Sequence, residues 1–283
     1  MSKGLDNLEI ITFEDEFRRG FDQYLKVLLK YKGTAKYVSV HVPSNLTIAH
    51  ISDNIHQKFA EQCIEDVIKI APNIDCERVV FHAFYHVNEL GNAVEVASLR
   101  SKAFSKCVES AKRLDRLSRE FGVRVCLENI NACMQLDRLY YLIFSSSPYD
   151  LVQVAEEVNS ESFRFCFDSA HAQNFCKFIP QSQEMQNLFC IQEISLEDFF
   201  RMISNKVDII HLSDAKGSIA SMRTESLPLG EGEIDFKKLL EEILKVGFNG
   251  PIVLETNETD INNAINMIAG RRYLSEILGK EQQ

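Results

Sequence analysis

Short apolar runs alternate with longer amphipathic segments along most of the chain. The short runs are rich in β-branched and aromatic residues and are apolar nearly throughout, which is typical of parallel strands covered by helices. The strands predicted on this basis span residues 8–13, 36–42, 78–84, 123–129, 163–168, 207–214 and 251–256. Between them, apolar residues recur at three- and four-residue intervals, and this period predicts helices over 52–72, 96–121 and 234–247.

The spacing of these segments indicates how the strands are connected. Strands recur about every 30 to 45 residues, which is the length of a βα unit, and polar residues follow almost every strand. An open doubly wound sheet usually carries a Gly-rich phosphate loop after its first strand, and no G-x-G-x-x-G motif stands there. The pattern therefore predicts an α/β fold, a parallel (β/α) TIM-type barrel.

The barrel predicted in this way is one strand short of the usual eight. Seven strands are predicted, and the first begins close to the start of the chain. We expect either that the usual first βα unit is absent or that another segment closes the barrel. Because no Pro-, Gly- or Ser-rich linker interrupts residues 1–283, one barrel domain is the simplest arrangement.

The charge of the chain bears on its binding partners, and its cysteine content bears on its cellular compartment. The chain has 31 basic and 41 acidic residues, and its formal net charge of −10 opposes a broad surface for nucleic acid or anionic membrane. A bound cation can still reverse the field inside a cleft. The eight cysteines are scattered without a Cys-x-x-Cys pair, which is typical of buried, reduced thiols. With no N-terminal signal pattern and no apolar run near ~18 residues, we expect a cytoplasmic protein.

Histidines and carboxylates occupy equivalent positions at the carboxyl ends of the predicted strands. In a parallel barrel these ends open on one face, so residues far apart in sequence become neighbours. Each acid follows an apolar run and would be costly to bury alone, a cost that one bound cation would relieve for several acids. Imidazole and carboxylate together suit Zn²⁺, Mn²⁺ or Co²⁺. The candidate ligands are His41, His82, Glu128, Asp168, His211 and Glu255, with His171 beside them.

Each of these residues also has a simpler interpretation. A single histidine at a strand end, such as His41, is often a hydrogen-bonded core residue. Glu128 could pair with a lysine, and Asp168 could cap the helix that follows it. Their joint recurrence at strand ends is what favours a metal site over coincidence.

Ordered motifs along the chain resemble those of a known family. VVFH, CLEN, FDSAH, HLSDAKG, LGEGEIDF and IVLET occur in the order seen in the xylose-isomerase-like barrels. This superfamily joins isomerases and epimerases of sugars and sugar phosphates with the endonuclease IV group (AP endonuclease family 2), which acts at abasic DNA sites. The resemblance extends from the second predicted strand to the C-terminus. It implies that Glu128, Asp168, His211 and Glu255 are shared metal ligands and that His171 contacts substrate or a further zinc.

The resemblance also bears on the number of ions. His41 and His82 match nuclease positions that bind an additional zinc with Glu128 as a bridge, so it implies one or two ions. The nucleases complete a third zinc site with an Asp-x-His pair before the Gly-Glu-Gly turn. This chain has Thr224 and Ser226 at those positions, so a third zinc and the three-metal phosphodiester mechanism are not expected.

The segment after the sixth predicted strand contains a Gly-Glu-Gly turn and an isolated lysine. Gly230 and Gly232 are expected to shape a turn into a helix that begins near Ile234 rather than to bind phosphate. Lys216 is a candidate anion contact, although an isolated lysine is more often solvated surface.

Two catalytic functions are compatible with these residues. In the one we favour, the protein is a divalent-metal-dependent isomerase or epimerase of a small sugar or sugar phosphate. Glu128 and Glu255 would then exchange protons with carbon, His171 would orient a hydroxyl, and the metal would stabilise an enediolate. The alternative is an endonuclease IV-like zinc-dependent phosphodiesterase acting at abasic DNA sites.

The sequence weighs against the nuclease alternative in two ways. The net charge opposes DNA binding, and residues 42–50 are poor in the basic and aromatic side chains that hold a distorted duplex. A binding barrel without catalysis is a third and less favoured hypothesis, because the ligand set is retained. The expected partner is therefore a small-molecule sugar, with nucleic acid disfavoured and the oligomeric state left open.

Overall fold

Seven parallel strands follow one another around a barrel in chain order. The computed structural model describes residues 7–19, 25–26, 28–33, 35–51, 54–258 and 263–279. The barrel strands are β1 (Asn7–Ile11), β2 (Tyr37–His41), β3 (Cys76–His82), β5 (Arg124–Glu128), β8 (Phe163–Asp168), β9 (Val207–Leu212) and β10 (Ile252–Leu254). Each predicted strand is present, and no end differs from its predicted position by more than two residues, which confirms the parallel barrel.

The last strand returns to the first. The Asn7 side-chain amide, in β1, donates a hydrogen bond of 3.0 Å to the Ile252 carbonyl oxygen, in β10. Because this bond joins the two ends of the seven-stranded sheet, the barrel is nearly closed with seven strands in the described part of the chain. Whether the usual first βα unit is absent stays a prediction.

A second, antiparallel sheet lies among the connections that follow β3 and β5. It consists of β4 (Tyr85–Val87), β6 (Cys133–Gln135) and β7 (Leu139–Phe144), in the spatial order β4-β7-β6. Loops that follow barrel strands emerge on the face where strand ends converge, so this sheet stands beside the candidate site. The sequence analysis did not predict it.

Helices connect the barrel strands, as the sequence predicted for the three longest amphipathic segments. They are α1 (Glu14–Arg19), α2 (Asn54–Ile70), α3 (Ala93–Phe121), α4 (Pro148–Val158), α5 (Ser169–Phe178), α6 (Gln183–Phe189), α7 (Leu196–Ile203), α8 (Phe236–Lys245) and α9 (Ile265–Ile277). Short 3₁₀ helices lie at Leu29–Tyr31, Ala71–Ile74 and Ile179–Gln181. No helix in the described part of the chain combines the length and the hydropathy of a membrane-spanning segment.

Six of the eight cysteines are buried, and all eight are free thiols. Burial raises the pKa of Cys63 and of Cys76 to about 12. Because the thiolate is the reactive form of cysteine, these two side chains behave as packing residues rather than as nucleophiles.

A small apolar layer fills the barrel directly beneath the strand ends. It consists of Val80, Cys126, Cys166, Ile209 and the partly buried Val253. Side chains two residues apart point to the same face of a strand. The residue two positions further along each of these strands is therefore also directed inward, and those five residues are the predicted ligands His82, Glu128, Asp168, His211 and Glu255.

Candidate metal centre

The predicted ligands come together on the barrel axis. One ligand atom from each of Glu128, Asp168, His211 and Glu255 lies within 4.8 Å of the others. The strand register explains part of this cluster, because Asp168 in β8 pairs with His211 in β9 and His82 in β3 pairs with Glu128 in β5. Three carboxylates and one histidine on converging strands make a suitable donor set for a divalent transition metal.

Glu128 is the central side chain of the cluster. Its Oε2 atom lies 2.9 Å from His41 Nε2 and 3.3 Å from His82 Nε2. Its Oε1 atom lies 3.3 Å from His211 Nδ1 and 3.5 Å from His171 Nδ1. The side chain is 1% exposed, so one buried carboxylate faces four imidazole rings.

Three of the four histidines are oriented by main-chain carbonyl groups. The Nδ1 atom lies 2.6 Å from the Val42 oxygen in His41, 2.9 Å from the Ser44 oxygen in His82 and 2.8 Å from the Asn129 oxygen in His171. A carbonyl oxygen only accepts, so each Nδ1 carries the proton and donates. In the neutral ring, the Nε2 lone pair can then bind a metal or accept a proton from an acid.

Asp168 has two roles in the structure. Its Oδ1 accepts a hydrogen bond of 2.6 Å from the His171 backbone N–H and so caps helix α5, which is the simpler interpretation of this residue. Asp168 is nevertheless a member of the ligand cluster. The cap and the cluster position are therefore compatible.

The electrostatics of the cluster fit a cation. Burial, together with the nearby charges of Glu128 and Glu255, raises the pKa of Asp168 to about 7. Burial alone would lower the pKa of His41, but its hydrogen bond to Glu128 and the surrounding carboxylates raise it to about 9. Asp168 thus lacks enough positive charge among its neighbours, and a divalent ion would supply it.

Unsatisfied polar atoms point to the same place. His211 Nδ1, His82 Nε2 and Glu255 Oε2 are buried without an aligned hydrogen-bond partner in the described part of the chain. His211 Nδ1 and Glu255 Oε2 lie 2.6 Å apart, yet they are not aligned as donor and acceptor. Buried polar groups normally find partners, so this geometry suits two ligands that face a common ion.

A second group of candidate ligands shares residues with the first. His41, Glu128 and His211 also place one ligand atom each within 4.8 Å of one another, and His82 Nε2 approaches the same Glu128 oxygen. The residues present therefore fit one ion, and they include the donors that a second ion would use. The number and identity of the ions stay predictions.

The sequence analysis missed two carboxylates. Glu9, in β1, has a 4% exposed side chain whose Oε1 lies 2.8 Å from His211 Nε2. Glu225, in the connection between β9 and α8, places Oε1 2.6 Å from His171 Nε2 and accepts a 2.8 Å hydrogen bond from the Asn131 amide. The signal for Glu9 was an acid within an otherwise apolar strand.

Thr224 and Ser226, which stand where the nucleases have ligands of a third zinc, have different surroundings in the structure. The Thr224 hydroxyl donates a 2.8 Å hydrogen bond to the Ile219 carbonyl oxygen, within its own loop. Ser226 lines the cavity above the cluster. Glu225, between them, is the residue that contacts His171.

Asp214 organises the Gly-Glu-Gly turn. Its carboxylate accepts hydrogen bonds from the backbone N–H groups of Gly230, Gly232 and Ile234, at 2.8 to 3.1 Å, and of Ala215 at 2.9 Å. The turn therefore binds a carboxylate of its own chain, and α8 begins at Phe236 with Asp235 as its cap. Lys216 is exposed and is not among the residues that line the cavity.

A cavity of about 600 Å³ opens above the cluster. One side of the cavity is lined by three carboxylates and a histidine, which are Glu128, Glu225, Glu255 and His171. Apolar and aromatic side chains form another wall, and three of them, Met134, Tyr140 and Leu142, come from the second sheet. Among the described residues that line this cavity there is no lysine and no arginine.

His86, at the rim, adds little positive charge. Burial, together with the charges of His50 and Arg138, lowers the pKa of His86. His50, His56 and His86 also line a separate, smaller pocket beside the cavity. The cavity is therefore acidic on one side and apolar on the other.

Comparisons with known proteins extend over most of the chain. The model of a family described as xylose isomerase-like TIM barrel matches residues 4–277. An uncharacterized protein of Methanocaldococcus jannaschii is 25% identical over 243 residues, which cover 85% of this chain and 70% of the relative. A probable endonuclease 4 of Mycobacterium leprae is 23% identical over 227 residues, which cover 80% of this chain and 75% of the relative.

Solved structures show the same fold. A D-tagatose 3-epimerase-like protein superposes with a TM-score of 0.67 at 22% identity, covering 97% of this chain and 88% of the other. The IolI protein, solved with a bound zinc atom, superposes with a TM-score of 0.70 at 14% identity, covering 99% of this chain and 90% of the other. At these identities the likeness concerns the fold alone.

Proposed function

Because the chain belongs to the xylose isomerase-like TIM barrel family, we propose that it is a metal-dependent isomerase or epimerase of a small, uncharged sugar. The observation that carries the proposal is the placement of Glu128 and Glu255. They lie three strand steps apart in the seven-stranded order, so they reach the centre from nearly opposite sides of the barrel. Both line the cavity and both are close to His211 Nδ1.

The residues of the cluster divide the chemistry among them. A bound divalent ion would polarise the substrate carbonyl and so make the adjacent C–H bond more acidic. Glu128 and Glu255 would remove a proton from one face of that carbon and return one from the other. Asp168 and His211 would hold the ion, and the apolar wall from the second sheet would exclude water.

His171 would bring a positive charge close to a substrate oxygen. Its Nδ1 donates to the Asn129 carbonyl, while its Nε2 faces the Glu225 carboxylate at 2.6 Å. Burial opposes a charged ring, but Asp168 and Glu225 raise the pKa of His171 well above its usual value. A doubly protonated His171 at the cavity edge can stabilise negative charge that develops on oxygen.

The cavity favours an uncharged sugar over a phosphate ester. Proteins bind phosphate through arginine, lysine or helix N-termini, and no described lining residue of this cavity is a lysine or an arginine. With Glu128 and Glu255 bound to the ion, the Glu225 carboxylate would still repel an anionic group. The same feature weighs against a DNA backbone.

One experiment compares the substrate classes directly. The purified protein is loaded separately with Zn²⁺, Mn²⁺ or Co²⁺ and incubated in D₂O with free ketoses, with the same ketoses as phosphate esters, and with a duplex that contains an abasic site. We expect deuterium incorporation next to the carbonyl of a free ketose, with kcat/KM at least about 100-fold above that of its phosphate, because like-charge contact costs several kcal/mol. A preference for the phosphate ester would contradict the uncharged substrate.

The nuclease alternative is supported by one feature of the structure. His41 and His82 both approach Glu128 Oε2, and the isomerase hypothesis requires neither of them as an acid or base. The probable endonuclease 4 relatives make the same alternative worth testing. Incision of the abasic duplex without exchange on any ketose would replace the isomerase proposal with this one.

Replacing Glu225 tests the role of His171. We expect Glu225→Gln to lower kcat by about 10- to 100-fold, because the amide cannot hold His171 in its charged form and the positive charge near the substrate oxygen would be lost. Glu231→Gln, an exposed position in the same loop, is the matched control and should leave kcat unchanged. Steady-state kinetics on the best ketose provides the measurement, and equal kcat values for the two variants would contradict the role.

A further inference from the structure

Glu9 is a buried acid in the layer of side chains directly beneath the cluster of candidate metal ligands. It lies in β1 opposite Ser39 of β2, and both side chains are buried. The corresponding layer beneath the ligands of the later strands is apolar, formed by residues such as Val80 and Ile209. A carboxylate in such a layer is costly unless specific partners compensate it.

Both oxygens of Glu9 have partners. Oε2 accepts a 2.7 Å hydrogen bond from the Ser39 hydroxyl. Oε1 lies 2.8 Å from His211 Nε2, within contact distance, although the two atoms are not aligned as donor and acceptor. Glu9 is therefore held by one strand neighbour and directed at the one cluster histidine that lies in β9.

His211 differs from the other three histidines in its orientation. His41, His82 and His171 use Nδ1 for a main-chain carbonyl and turn Nε2 toward the acids. His211 turns Nδ1 toward Glu128 and Glu255, at 3.3 and 2.6 Å, and its Nε2 faces Glu9. Glu9 thus occupies the place that a backbone carbonyl occupies for the other rings.

We propose that Glu9, held by Ser39, is the positioning residue for His211: it accepts the Nε2 proton and so presents the Nδ1 lone pair to the metal. A carboxylate partner fixes the tautomer of a metal-bound imidazole and strengthens it as a ligand. The inference concerns metal binding and does not depend on which substrate the protein uses.

Metal affinity measures this role without substrate. The Kd for Zn²⁺ is determined by competition with a chromophoric chelator for the wild type, Glu9→Leu, Glu9→Gln and Ser39→Ala. We expect the Kd to rise about 10- to 100-fold in Glu9→Leu. It should rise less in Glu9→Gln, whose amide oxygen still accepts the Nε2 proton, and least in Ser39→Ala. The absorption spectrum of the Co²⁺-loaded protein should change in Glu9→Leu and be partly restored in Glu9→Gln.

The outcomes separate this inference from the proposed function. Unchanged Zn²⁺ affinity in Glu9→Leu and in Glu9→Gln, with wild-type binding intact, would overturn the role of Glu9 alone. If Glu9→Leu does not fold, a Kd in Glu9→Gln and Ser39→Ala equal to that of the wild type overturns it equally. A wild-type protein that binds no divalent metal would overturn both the inference and the proposed function.

Discussion

Glu128→Gln should reduce turnover by about 10³-fold or more, the largest catalytic effect expected of any single substitution in this protein. The amide has the same size, but it cannot accept a proton from carbon. It would also place an N–H₂ group among rings that now face a carboxylate, since Glu128 approaches His41, His82 and His211 within 3.3 Å. Kinetics at saturating metal, on the ketose with the highest kcat/KM, gives the measurement.

A matched substitution separates this effect from general damage. Glu157 lies on α4 with a 58% exposed side chain, so Glu157→Gln should keep wild-type turnover and metal content. Elemental analysis of both variants shows how much of the loss follows from weaker metal binding. Turnover of Glu128→Gln within tenfold of the wild type, at full metal occupancy, would exclude Glu128 as an acid or base.

The barrel strands were predictable because their burial requires a recognisable pattern of apolar residues in the sequence. Strands covered on both sides are apolar nearly throughout, as in residues 163–168, whose predicted and observed bounds coincide. The ligand positions were predictable for a related reason. In a parallel barrel, the first polar residue after an apolar run lies at the strand end, and strand ends meet on one face.

Glu9 was missed because the rule about polar residues at strand ends does not apply to it. It lies inside a predicted strand rather than at its end, so a search of strand ends passes over it. Its inward direction follows from the pairing of β1 with β2, which places Glu9 beside Ser39. That register depends on tertiary contacts and cannot be derived from the strand alone.

Glu225 and the second sheet were missed because they depend on loop structure. Strands β4 and β6 have three residues each, too few for a period-two pattern to be recognised. The position of Glu225 depends on a loop whose start is fixed by pairing between Asp214 and Leu227. Comparison of motifs pointed to Thr224 and Ser226, whereas the backbone directs Glu225 toward His171.

Gly232→Ala should lower the free energy of unfolding by about 3 kcal/mol, the largest loss of stability expected from adding one methyl group. A Cβ atom at Gly232 would lie 2.1 Å from Asp214 Oδ1 and 2.6 Å from the Ala215 carbonyl oxygen. The added atom would displace a carboxylate that accepts four backbone hydrogen bonds. Urea unfolding followed by circular dichroism measures the change.

Gly91→Ala is the matched control for this substitution. No atom lies within 4 Å of the position that its Cβ would take, so the free energy of unfolding should change by no more than about 0.5 kcal/mol. Because the predicted metal ligands lie on or directly after the barrel strands, Gly232→Ala should keep its Zn²⁺ affinity while it is folded. Its kcat should fall, since the loop that Asp214 anchors also carries Glu225. A loss below about 1 kcal/mol would mean that the turn can move away from Asp214 and that this carboxylate does not fix the loop.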